Sequence, residues 1–312
     1  MQTIIKKQKI IYVIIFAVAI SFSVFLLFEQ ASENPKQDSK IHIIASFYPI
    51  ASVFTAVGGN LVSVKNLVPA GVEPHDFEPA LRDIVEIGEA DAFVYNGAHL
   101  EPWIKKWNEG NSPHPMNTVD MSEALTGQGV KLILRDDATD PHFWLDPVIM
   151  KSEVTVARDL LSKIDPTNKE IFEDNANWYL EKLDSLDANF REGLYTCSLR
   201  NIVVLHEAFN YIARQYNISI TSISGISPDE EPSPKDLSRI IVLAKEKGVK
   251  YIFSETVASP KFSEMIAREI GGSTLVLNPI ESLTPNDVQS GEDYISIMEM
   301  NLRNLKTAMI CN

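Results

Sequence analysis

The sequence predicts an α/β fold of two lobes, each with a central, mostly parallel sheet, joined by one long α-helix. Three observations carry this. Short apolar or β-branched runs alternate with segments of helical spacing, the pattern of parallel sheets covered by helices. A helical stripe over residues 166–195 breaks that alternation near the middle of the chain. The 312 residues, 45% apolar and 22% charged, suffice for one large or two ordinary domains with full cores.

Taken in order, the chain opens on Lys6, Lys7 and Lys9, followed by 19 uncharged residues from Ile10 to Phe28. A basic flank before an apolar run is the layout of a secretory signal. The run exceeds the usual ~7–15-residue signal core and approaches the ~20 residues that span a bilayer, so it reads as a signal or as an uncleaved anchor. The polar stretch EQASENPKQDSK follows as a tether. No cysteine follows the run, which excludes a lipidated N-terminal cysteine. The working part of the protein is therefore expected outside the cytoplasm.

Strand-like runs follow at 41–47, 92–95, 131–134, 202–205, 218–223, 251–253 and 274–277, with helical spacing between them at 79–89, 234–247 and 260–270. In the stripe, Phe172, Ala176, Tyr179, Leu183, Leu186, Phe190 and Leu194 recur at steps of three and four. Asp165 is the expected N-cap and Pro166 suits the first helical position. Thirty residues would run roughly 45 Å, farther than one small domain. The predicted organisation is a leader and tether over 1–40, a first lobe over 41–160, a connecting helix over 161–195 and a second lobe over 196–312. The acidic, proline-rich stretch SPDEEPSPKD at 227–236 reads as an ordered surface loop.

The formal charge is −14, and the three lysines of the leader leave −17 on the remainder. An acidic body argues against nucleic acid or an anionic membrane surface as the main partner. Only Cys197 and Cys311 are present. In an exported chain two cysteines favour a disulfide, here one that ties the C-terminal tail to the start of the second lobe. A metal site built on them is weak, because neither stands in a C-x-x-C spacing.

Three of the six histidines have a context that points to ligation. His75 lies in PAGVEPHDFEP and His142 in DPHFWLDP, each a loop before a helix-like segment. His206 ends the apolar run NIVVLH, at the carboxyl end of a strand, where open α/β sheets bind ligands. His42, His99 and His114 lack such a setting. Glu281 in LNPIESLT and Glu255 in YIFSETVASP both follow strand-like runs, and spacing does not choose between them as a carboxylate partner. Three imidazoles and a carboxylate suit tetrahedral Zn²⁺, whereas Mn²⁺ prefers more oxygen. The rival reading is an exported zinc enzyme that uses the same histidines. HEAFN at 206–210 begins like a zinc-peptidase motif but lacks the second histidine, and no nucleophile elbow or phosphate loop occurs. A closed four-ligand site also leaves no position for a metal-bound water. A third reading is an adhesin-like surface protein in which metal only stabilises the fold.

With these residues assembled, the chain resembles the metal-binding solute-binding proteins of ABC transporters, the zinc-uptake type in particular. The resemblance rests on ASFYPIASVFTAVGG, LVPAGVEPHDFEP, DAFVYNGAHLEPW, DPHFWLDP, VVLHEAFNYIARQYNI, GISPDEEPS, YIFSETVASPK and LNPIESLT, in that order along nearly all of the exported part. It implies two α/β lobes joined by a rigid helix and a non-enzymatic monomer. That monomer would capture one divalent ion between the lobes and deliver it to a membrane permease. It implies His75 and His142 as ligands from the first lobe, His206 from the second, and a fourth position that is a carboxylate or water. It prefers Glu281 there, leaving Glu255 behind the ligands or structural, with manganese as the alternative metal. Cysteines joined near these positions in relatives support Cys197–Cys311. Two departures stand out. The histidine-rich metal-collecting loop of many such proteins is missing, since 108–139 holds only His114, and a long apolar run replaces a lipidated or short leader. Binding through neutral imidazoles is expected to weaken below pH ~6.5.

Overall fold

The computed structural model describes residues 40–110, 112–135 and 138–312. The basic, apolar leader lies outside them, and among the described residues no helix is long and apolar enough to cross a membrane. Residues from Ile41 to Asn312 form one compact unit.

Two four-stranded parallel sheets organise it. The first comprises β1 (Ile41–Ala45), β2 (Val62–Asn66), β3 (Ala92–Tyr95) and β4 (Asn117–Asp120), in the order β2-β1-β3-β4. A two-stranded antiparallel ribbon, β5 (Leu134–Arg135) and β6 (Ala138–Thr139), follows. The second sheet comprises β7 (Asn201–Val204), β8 (Ser219–Ser222), β9 (Tyr251–Ser254) and β10 (Ser273–Val276), in the order β8-β7-β9-β10. Numbered from its own first strand, each sheet has the order 2-1-3-4, and all its pairings are parallel. The chain direction across the sheet therefore reverses between β1 and β3 and again between β7 and β9. Such switch points open a crevice beyond the carboxyl ends of the strands.

Within the two four-stranded sheets, the strands that the apolar runs do not announce are β2 and β4, the two edges of the first sheet. Their sequences, VSVKN and NTVD, keep several side chains partly exposed, so they carry no continuous apolar run. The run 131–134 differs in the opposite way. Only Leu134 enters a strand, and that strand is the short ribbon. Its neighbours find partners on the helix Asn210–Tyr216 instead: Ile133 N–H donates to Tyr211 Oη at 3.0 Å, and Lys131 C=O accepts from Arg214 at 3.0 Å.

The central stripe forms the helix Lys169–Gly193, preceded by a 3₁₀ turn over Pro166–Asn168. Asp165 caps that turn, accepting from Thr167 N–H at 3.1 Å, so the α-helical part starts three residues later than expected. Its 25 residues run about 37 Å. It packs against the helix Tyr48–Gly58 beside the first sheet, the helix Pro147–Ile164 along its length and the C-terminal helix Tyr294–Met309 beside the second. Phe172 to Phe190 of its buried stripe join one continuous core that includes Ile43 and Val94 of the first sheet and Ile202 and Val204 of the second. The outer faces of the two sheets have their own smaller cores, around Phe93 and Trp107 and around Ile252 and Ile266. A disulfide joins Cys197 to Cys311, closing the C-terminal tail onto the chain just before β7.

Candidate metal centre

Four side chains meet where loops from the two sheets face each other. His75 lies in the loop after β2, His142 between β6 and the helix Pro147–Ile164, His206 two residues beyond β7, and Glu281 in the loop after β10. One potential ligand atom from each lies within 4.8 Å of all the others. All four are buried, His142 and His206 completely. His42 lies within β1, and His114 rests its ring 4.0 Å from that of Trp107, so these stay apart from the cluster.

The spacing inside the cluster has a chemical meaning. Glu281 Oε1 lies 3.4 Å from His75 Nε2, 3.3 Å from His142 Nε2 and 3.2 Å from His206 Nε2, and the Nε2 atoms of His75 and His142 are 3.2 Å apart. A tetrahedron of ligands with bonds of ~2.0–2.1 Å has edges of about 3.3–3.4 Å. Three imidazole nitrogens at this distance from one carboxylate oxygen, and all within 4.8 Å of one another, suit Zn²⁺ in chemistry and size.

The loops are held by their own side chains. In DPHFWLDP, Asp146 accepts from Val148 N–H at 2.9 Å and caps the following helix, with Pro147 in its first turn. Asp140 does more than set a turn: its Oδ1 accepts from His142 N–H at 3.0 Å and pairs with His142 Nδ1 at 2.9 Å. Sequence reasoning missed this role, although an acid two residues before a candidate ligand histidine is a legible signal for it. Asn210 in turn donates to Asp140 Oδ2 at 2.9 Å. Phe143 and Trp144 are fully buried beneath the loop, Trp144 edge-on to Phe47 with centroids 4.7 Å apart. Asn96 Nδ2 donates to Pro141 C=O at 3.0 Å, and buried Glu101 accepts from the Asn96 and Gly97 N–H groups at 2.8 and 3.1 Å. Burial pushes the Glu101 carboxyl up to about 7.

At the switch point of the second sheet, Glu255 follows β9 and pairs with His206 Nδ1 at 2.7 Å, while Glu281 occupies the Nε2 side. The two glutamates that spacing leaves equal thus stand on opposite nitrogens of one imidazole. A carboxylate behind a ligand histidine fixes its tautomer and orientation and raises its basicity. The 278–283 loop ties the halves together. Pro279 C=O accepts from Trp144 Nε1 at 2.8 Å, Leu283 C=O accepts from Gly71 N–H at 2.8 Å, and Ser282 Oγ accepts from the same N–H at 3.1 Å.

The charges follow from this packing. Burial opposes a proton on His206, but Glu255 and Glu281 outweigh it and hold its pKa well above the usual value. Burial likewise opposes a charge on His142, and Asp140 and Glu281 raise it. For His75 burial wins, and its pKa falls. Burial works against the Glu281 charge, yet His206 and the other two imidazoles keep the carboxyl well below the ordinary range. Glu73, beside the cluster, is pushed up to about 9 by burial and by the charge of Glu281. The packing thus favours the charged form of Glu281, His142 and His206 and the neutral form of His75.

A two-sheet α/β body with a buried three-histidine, one-carboxylate cluster between facing loops has a site that could hold a metal ion. The family model of ZnuA, the periplasmic component A of the zinc-uptake complex, matches residues 43–308, and the chain belongs to that family. It is 38% identical over 303 residues to the zinc-binding lipoprotein AdcA of Streptococcus pneumoniae strain R6, covering 91% of this chain and 59% of that protein. The chain thus spans about three fifths of that relative's length. It is 34% identical over 309 residues to the high-affinity zinc uptake system protein ZnuA of Bacillus subtilis strain 168, covering 95% and 97% of the two chains. Among solved structures, the Zn(II)-bound ZnuA-like domain of Streptococcus pneumoniae AdcA superposes with a TM-score of 0.75 at 38% identity, over 87% of this chain and 99% of that domain.

Proposed function

We propose that this protein captures Zn²⁺ outside the cytoplasm through His75, His142, His206 and Glu281 and delivers it to an ABC permease. The observation that carries the reading is the spacing of the cluster: Glu281 Oε1 stands 3.2–3.4 Å from each of three Nε2 atoms, the edge length of a tetrahedral zinc site. The family and the zinc-binding names of the relatives agree with it. Zinc is cargo in this reading. The ion is coordinated by four protein groups and no water, which suits transport and leaves no metal-bound nucleophile for hydrolysis. The protein acts as a monomer and not as an enzyme, with 41–160 and 196–312 as its two lobes and 161–195 as the helix between them. Its acidic body argues against nucleic acid as a main partner.

Calorimetric titration of the metal-stripped protein tests this. One zinc ion per chain is expected to bind, more tightly than Mn²⁺, with affinity sharply reduced in His142→Ala and Glu281→Ala. Unchanged zinc affinity in both variants would refute the ligand set. Elemental analysis of protein purified without added metal gives a second check, with zinc the expected occupant.

A further inference from the structure

Ile280, the residue before Glu281, has φ 59°. A β-branched residue rarely enters the left-handed region, because its side chain crowds its own backbone there. Asn217 and Ile310 share this conformation, but both end helices, where it is ordinary. Ile280 ends no helix and is fully buried. Strained residues of this kind persist only where the surroundings enforce them.

The surroundings are specific. Ile280 N–H donates to Asn278 Oδ1 at 2.8 Å. Asn278 N–H donates to Asn301 Oδ1 at 2.8 Å, and Asn278 C=O accepts from Asn301 Nδ2 at 2.7 Å. Asn301 lies on the C-terminal helix, completely buried between the apolar residues Met298 and Leu302. An amide placed there costs stability unless it is bonded, and this one bonds both backbone groups of a single residue as a neighbouring strand would. Pro279 is fixed as well, through Trp144 Nε1 at 2.8 Å. Every residue from 278 to 280 is therefore pinned, and the turn that results presents Glu281 to all three imidazoles through a single oxygen, Oε1.

We infer that the Ile280 turn, clamped by Asn278 and Asn301, determines metal specificity by holding Glu281 to one-oxygen ligation. This rests on the reading of Glu281 as a ligand. A carboxylate fixed by one oxygen closes a four-coordinate site, which Zn²⁺ accepts. A carboxylate free to swing supplies its second oxygen or admits water, which favours the oxygen-rich, higher coordination of Mn²⁺. Asn278 and Asn301 touch no ion and act as positioning residues.

The experiment measures Zn²⁺ and Mn²⁺ affinities of the metal-stripped wild type, Asn301→Ala and Glu281→Gln, together with the visible absorption of bound Co²⁺, intense at four-coordination and weak at six. Asn301→Ala is expected to lose about tenfold in zinc affinity, the low end of the range for losing a partner bonded directly to a metal ligand, because Asn301 acts through Asn278 and Ile280. Its manganese affinity should fall much less, narrowing the preference, and its Co²⁺ absorption should weaken. Equal losses for both metals with an unchanged Co²⁺ spectrum would overturn the inference, since a merely structural asparagine would give that result. If Asn301→Ala does not fold, Asn301→Ser is read by the same two results. Unchanged affinities in Glu281→Gln would instead remove the ligand reading itself, a failure that the asparagine variants do not produce.

Discussion

His142 and His206 enter the cluster with a carboxylate behind them, and His75 enters without one. Asp140 Oδ1 lies 2.9 Å from His142 Nδ1, and Glu255 Oε1 lies 2.7 Å from His206 Nδ1. Each carboxylate also accepts the backbone N–H of its own histidine, at 3.0 and 3.3 Å. Among the described residues nothing accepts from His75 Nδ1, and its backbone N–H goes to Glu73, on its own loop. His75 is also the least buried of the three, 8% exposed against none for the others. The difference separates two kinds of histidine in the proposed site. The buttressed pair is pre-oriented and more basic, so in the proposed site it would be set before metal arrives. His75 closes the site from a loop that is held through Gly71 to Ser282 and Leu283.

The sharpest way to break this comparison is to remove one histidine of each kind. His206→Ala takes away a pre-oriented ligand and leaves Glu255 and Glu281 facing each other without the imidazole that separates them. Its zinc affinity should fall by more than the ~100-fold that marks the upper end for losing an outer partner. His75→Ala should fall by less, because the remaining ligands keep their geometry. Competition against a chelator of known affinity ranks the two, and a larger loss in His75→Ala would reverse the argument.

The next largest effect tests the buttresses themselves. Glu255→Gln and Asp140→Asn keep shape and remove charge, and each should lower zinc affinity about 10–100-fold with the fold intact. Affinities equal to wild type in both would reduce the two carboxylates to packing.

Much of this was legible in the sequence, and what was not has physical reasons. The alternation of runs and the stripe from Phe172 to Phe190 expose the parallel sheets and the long helix, because burial on both faces or along one face demands those patterns. The edge strands β2 and β4 escape because an edge need not be apolar. The shared 2-1-3-4 order of the two sheets leaves no trace either, since topology can recur without any repeated residue. The histidines stand out by their loops. The choice between Glu255 and Glu281 as ligand could come only from resemblance, because both follow a strand and only the spatial arrangement sets them on different nitrogens of His206. The left-handed turn at Ile280 is invisible in a residue type that disfavours it.

The comparison is also testable without a mutation, through pH. Zinc needs neutral imidazoles, so each proton held by the empty site must leave on binding. Of the three histidines, His142 and His206 are raised and hold such protons more firmly than His75, which is lowered, and Glu73 beside them is pushed up to about 9 by burial and by the charge of Glu281. Each raised imidazole stabilises the metal-free fold fully below the unfolded value of ~6.5, and this contribution is lost as pH rises through the higher folded value. Glu281 acts with the opposite sign: its lowered pKa stabilises the fold above its ordinary value, and that contribution is lost only as pH falls into the acid range, so it is constant here. Raising the pH from about 6.5 to 8.5 should therefore lower the Tm of the metal-free protein relative to the zinc-loaded one and widen the gap between them. Zinc affinity should climb by up to about tenfold per pH unit for each proton displaced, across a window that lies above the ~6.5 of a free imidazole. A gap that stays constant over this range, or an affinity that levels off by pH 6.5, would mean that Asp140, Glu255 and Glu281 do not hold protons on the two histidines. The buttressed pair would then differ from His75 in geometry alone.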